Sequence, residues 1–101
     1  MNKPTAQHPV PAAEAATLFD WFNPGMTVGA RMKRMLDADF GTASWELAMA
    51  RKDARLMMEE AARANVMLTL VPAIANEMDR FIERGHAKDD WTVIAKDALT
   101  R

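Results

Sequence analysis

Residues 44–64, SWELAMARKDARLMMEEAARA, decide how the rest of the chain reads. From Trp45 onward the stretch holds no glycine, no proline and no β-branched residue, so its helix propensity is high throughout. Ser44 stands where an N-cap belongs. At helical spacing Leu47, Ala50, Ala54, Met57, Met58 and Ala61 share one side, which is an ordinary core stripe. The opposite side carries Trp45, Met49 and Leu56, with Lys52 among them and Asp53 beside the strip. A helix that is apolar on two sides needs cover on both, from its own domain or from a partner. Lys52 therefore has two readings. It lays its stem over Trp45 and Leu56 with the ammonium in water, or it sits at the edge of an apolar cleft and donates to an anionic ligand.

The segments on either side repeat the helical pattern. Residues 70–84 place Leu70, Ile74, Met78, Phe81 and Ile82 on one face, and Pro72 is tolerable there because it lies in the first turn. Gly85 is a left-handed stop. Asp89 or Asp90 caps a last helix over 91–99, with Ile94, Ala95 and Ala98 inward. Upstream, Thr27 caps a helix reaching about Leu36 whose stripe is Val28, Met32, Met35 and Leu36. Arg31, Lys33 and Arg34 lie mostly off that stripe. Residues 12–22 form a further helix with Ala15, Leu18, Phe19 and Phe22 on one face, ended by Asn23-Pro24-Gly25. Residues 1–11, with Pro4, Pro9 and Pro11, read as a flexible tail. No strand-like alternation and no repeat occurs. The expected fold is all-α, a single compact five-helix domain over residues 12–101.

Composition narrows the function. One hundred and one residues make one domain, and 50% apolar content supports one modest core. Thirteen basic and fourteen acidic residues nearly cancel, so there is no electrostatic case for nucleic acid or an anionic membrane. No apolar run is long enough to span a bilayer. The start has no apolar secretory core, so the expected location is cytoplasmic. The nine methionines read as fillers of irregular core gaps, or as an adaptable binding surface.

The chemistry of a self-sufficient enzyme is missing. There is no cysteine, which excludes disulfides, thiolate catalysis and cysteine zinc sites. The four glycines stand apart, so no phosphate-cradling loop exists. His8 lies in the tail and His86 follows Gly85, and neither has a second ligand at metal spacing. Asp37 with Asp39, and Asp89 with Asp90, read as turn and capping residues. No serine has a His and carboxylate arrangement, and no side chain has a general base beside it.

Asp39-Phe40, Trp45-Glu46-Leu47, Lys52-Asp53 and Glu59-Glu60-Ala61-Ala62 are similar, in that order, to a stretch of the β-hydroxyacid dehydrogenases. That family includes 3-hydroxyisobutyrate dehydrogenases and the glyoxylate, succinic semialdehyde and tartronate semialdehyde reductases. Gly85-His86 and then Asp90-Trp91-Thr92-Val93-Ile94 resemble its closing segment. The resemblance covers residues 24–99 and is to the all-helical C-terminal domain alone. It implies that Lys52 and Asp53 match a Lys-Asp pair near nicotinamide and substrate at the domain interface. It also implies that Trp45, where the family more often has Phe, lines the same cleft. The family's principal catalytic lysine and its Gly-rich dinucleotide loop have no counterpart here.

The expected function follows from that partial match. The chain reads as a stand-alone or truncated C-terminal domain of an NAD(P)-dependent dehydrogenase, not active alone and binding no cofactor alone. NAD or NADP belongs to the family context, in which a Rossmann-domain chain would complete the site. In that complex Lys52 would donate to substrate or cofactor, Asp53 would orient it and Trp45 would wall the pocket. The alternative is a non-catalytic helical interaction module, most simply a homodimer that buries the spare apolar face.

Overall fold

A computed structural model describes residues 10–99; His8 and the first nine residues of the expected tail lie outside the described residues. The described chain is helical, with no strand. Its α-helices are α1 Ala12–Ala16, α2 Val28–Leu36, α3 Leu47–Arg63, α4 Leu70–Phe81 and α5 Lys96–Leu99. Single turns of 3₁₀ helix occupy Thr17–Asp20, Pro24–Thr27 and Trp91–Ala95.

The core lies where α2, α3, α4 and the Trp91–Ala95 turn meet. Phe40, Leu47, Ala50, Met78, Phe81 and Val93 form one buried cluster, with Met35, Ile82, Trp91 and Ile94 packed against it. Ala54 of α3 and Ala75 of α4 are also buried, and small side chains there let the two helices approach closely. Arg51 Nε donates to Asp79 Oδ1 at 2.8 Å and ties α3 to α4 at the edge of this contact. Arg84 closes the other end, lying 4.5 Å from the Phe81 ring centre and pairing with Asp97 at 2.8 Å.

Left-handed residues end the helices. After α3, Asn65 has φ 59°, and Val66 N–H donates to Ala61 O at 2.8 Å while Asn65 N–H donates to Ala62 O at 3.2 Å. This double bond is the Schellman arrangement, and Asn tolerates the left-handed region well. After α2 the same pair of bonds forms around Ala38 at φ 52°. Gly85, with φ 96°, ends the wide last turn Ile82–His86, as expected of the αL stop.

Several expected details are corrected. The helix over 12–22 is one α-turn followed by a 3₁₀ turn, and none of its residues is buried. Thr17 helps to tighten it, because its hydroxyl bonds back to Glu14 O at 2.6 Å. The inward face of α2 is not Val28, Met32 and Leu36, which are exposed, but Arg31, Arg34 and Met35, which are half-buried. The long helix starts at Leu47 rather than Trp45, with Glu46 and not Ser44 at its N-cap. In α4 the buried residues are Ala75, Met78 and Phe81; Leu70 and Ile74 are exposed. In the closing segment Thr92 and Val93 are buried and Ala98 is exposed. Met57 is exposed as well. The chain measures 53 × 33 × 22 Å with a radius of gyration of 16.7 Å. A compact chain of this length has roughly 13 Å, so this one is elongated.

Candidate functional site

The most polar feature of the interior organises the site without belonging to it. Asp90 is fully buried, and its carboxylate collects donors from three directions. Oδ1 accepts from Ser44 N–H at 2.9 Å, Ser44 Oγ at 3.0 Å and Trp45 N–H at 3.3 Å. Oδ2 accepts from the N–H and hydroxyl of Thr92, so that Asp90 caps the Trp91–Ala95 turn. Arg34 lies 3.2 Å from Oδ1 and also donates to Thr42 O. Burial alone raises a carboxyl pKa; here the bonds from Thr92 and Ser44 outweigh it and bring Asp90 down to about 2.

This knot explains where α3 begins. Ser44 is engaged by Asp90, so it cannot cap the helix. The orphan N–H groups are met from a distance: Leu47 N–H donates to Asp89 O and Ala48 N–H to Ala87 O, both at 2.9 Å. The 87–89 loop is held by His86, whose Nδ1 lies 2.7 Å from Asp89 Oδ2 and whose ring packs on Phe81. Asp90 N–H to Phe40 O and Trp91 N–H to Trp45 O complete the seam between residues 40–46 and the closing segment. Sequence reasoning named Asp90 as one of two possible caps and missed its link to Arg34 and Ser44. Only the off-stripe position of Arg34 hinted at it.

The seam sets Trp45 at the head of the candidate site. Its ring meets Trp91 edge-on, with centres 5.8 Å apart and planes at 63°. Trp45 remains 39% exposed, Met49 46% and Leu56 45%, so the second apolar side of α3 stays open to solvent. Lys52 is exposed among them and its side chain has no hydrogen-bond or ion-pair partner among the described residues. Asp53 is half-buried. Neighbours in a helix point about 100° apart, and no hydrogen bond or ion pair joins Lys52 to Asp53. The three residues singled out from the sequence thus fall on one stretch, with Trp45 and Lys52 on the open side and Asp53 at its margin. An ammonium set among apolar side chains can donate to a carboxylate or another anion. Among the described residues no side chain lies within hydrogen-bond distance of that ammonium.

A shallow apolar cavity of about 440 Å³ lies between the end of α3 and the start of α4, lined by Met57, Ala61, Val66, Leu68 and Val71. Its one carboxylate, Glu60, is 3.2 Å from Arg63. It lacks the convergent polar groups that orient a substrate. No three His, Asp or Glu side chains among the described residues are placed to hold a metal ion. No described helix is long and apolar enough to cross a membrane. Comparison with known protein families and with curated proteins finds no match to this chain.

Proposed function

We propose that this chain is a helical interaction subunit whose open apolar surfaces are covered by another polypeptide. One observation carries the reading. Leu18, Phe19, Trp21, Phe22, Met26, Val28, Met32 and Leu36 are all large, apolar and exposed within one N-terminal stretch. Scattered single apolar residues are normal on a surface, but a run of this kind marks an interaction site. The direct test is the native mass of the protein taken from its own cells. A complex larger than one chain is expected; a monomer at cellular concentration overturns the reading.

A second reading is favoured by the open side of α3. Trp45, Met49, Lys52 and Leu56 are exposed together, and if the resemblance to β-hydroxyacid dehydrogenases holds, this strip would face a nucleotide-binding domain. In that reading the covering chain would be a Rossmann-type subunit holding NAD or NADP, and Lys52 would donate to its substrate. Lys52→Ala would then cut the activity of the assembled complex while leaving this chain folded. Undiminished activity in a complex that still forms removes Lys52 from that role.

A further inference from the structure

Two surfaces of the same chain are open, one with acids and the other with a lysine that lack ion-pair partners among the described residues. The N-terminal arm, residues 10–27, contains Glu14 and Asp20 and no lysine or arginine. Neither acid has an ion-pair partner among the described residues. Asp20 stands between Phe19 and Trp21, in the most apolar part of the arm. The open side of α3 is the converse, an unpartnered Lys52 between Met49 and Leu56. The other cations nearby are already engaged, Arg51 by Asp79 and Arg55 by Glu59, each at 2.8 Å. Asp53, half-buried, lies at the margin of the strip, and Glu59, one turn beyond Leu56 on the same side, is taken up by Arg55.

The sizes also agree. Trp21 is 90% exposed, Phe19 59% and Phe22 50%. An aromatic side chain carries about 150–250 Å², so these three alone offer on the order of 400 Å². A standard interface buries about 800 Å² on each partner. One arm on one strip falls short of that, whereas two reciprocal arm–strip contacts reach it. A short apolar helical segment laid along a helix face is a common recognition mode, and its two-fold repetition closes the assembly at two chains.

We propose that this chain forms an arm-exchanged dimer. Residues 12–22 of each copy lie on the Trp45–Met49–Lys52–Leu56 strip of the other, with Asp20 paired to Lys52 across the contact. The proposal rests on the reading of the chain as an interaction subunit and names a second copy as the partner. It gives Lys52 a structural acceptor, and it covers Leu18, Phe19, Trp21 and Phe22 and the open strip of α3 by the same contact.

The test is sedimentation equilibrium of the purified full chain over a dilution series, with Asp20→Lys, Lys52→Asp and the double variant. Asp20 and Lys52 are both exposed, so circular dichroism should be unchanged by either substitution. A dimer is expected, with each single reversal raising its dissociation constant roughly tenfold or more and the double variant recovering most of that loss. A dimer indifferent to both reversals overturns arm-on-strip docking but leaves the interaction-subunit reading standing. A chain that is monomeric throughout overturns the second copy as partner; the native mass from cells then decides separately whether another chain covers the surfaces.

Discussion

The N-terminal arm and the segment that closes the fold are built from similar residues and meet opposite fates. Residues 17–22 hold Leu18, Phe19, Trp21 and Phe22, and residues 90–94 hold Trp91, Val93 and Ile94 beside Asp90. Both fold as a 3₁₀ turn. In the closing segment Asp90, Thr92 and Val93 are buried and Trp91 and Ile94 are half-buried; in the arm nothing is. The difference is the presence of a partner. The closing segment lies against Phe40, Leu47 and Phe81 and is bonded to residues 40–46, while no other described element buries the arm. Apolar patterning states which side chains would gain from burial; whether they are buried depends on what stands opposite.

That contrast can be tested by stability, because only the second region contributes to the fold of one chain. The largest effect is expected at the centre of the core. Phe81 is fully buried, and Phe81→Ala should cost about 3–5 kcal/mol, read as the shift in a urea unfolding curve. A cost below about 1 kcal/mol would mean the core is not packed as described.

Asp90→Asn comes next. It leaves Arg34 beside a neutral side chain and places an NH₂ or a weaker acceptor against the Ser44 and Thr92 donors, so a loss of about 3 kcal/mol is expected. The same carboxylate gives a pH dependence. Its folded pKa, about 2, lies below the ordinary 3.8, so its contribution is complete above about pH 4. It is lost as pH falls through the window down to about 2, and it amounts to something on the order of 2 kcal/mol. Unfolding free energies of the parent chain and of Asp90→Asn should converge across that window. Curves that stay parallel would show that Asp90 is not the group titrating.

The smallest effect is expected in the arm. Trp21→Ser should change the unfolding free energy of the monomer by less than about 0.5 kcal/mol, since the ring already faces solvent. Measured in the assembled state, the same substitution should weaken association. A large loss of monomer stability would place the arm against the body and erase the contrast between the two regions.

Much of the helical layout was legible in the sequence. The absence of breakers over 45–64, the turn residues Asn23-Pro24-Gly25 and the lone Gly85 bound the helices nearly where they lie. The open strip was legible too, because Trp45, Met49 and Leu56 fall opposite the Leu47–Ala50–Ala54 stripe by helical geometry alone. Phe40 was not, since a single aromatic residue in a loop has no period to betray it.

What the sequence by itself determined is therefore local. It set the helical periods, the residues able to cap or stop a helix, and the lack of cysteine. The tertiary structure decided which face of each helix is inside. Only the Met35 edge of the apolar stripe of α2 faces inward, with the flank of Arg31 and Arg34, because buried Asp90 needs charged and hydrogen-bonding partners, and Arg34, with Arg31 bonded to Ser44 at 3.0 Å, supplies them. The start of α3 was decided in the same way. Ser44 is a good cap in isolation, but a desolvated carboxylate forty-six residues away competes for it and wins, and the carbonyls of Ala87 and Asp89 take over its task. Long-range electrostatic demands of this kind leave no period in a sequence, because they depend on two distant segments having already come together.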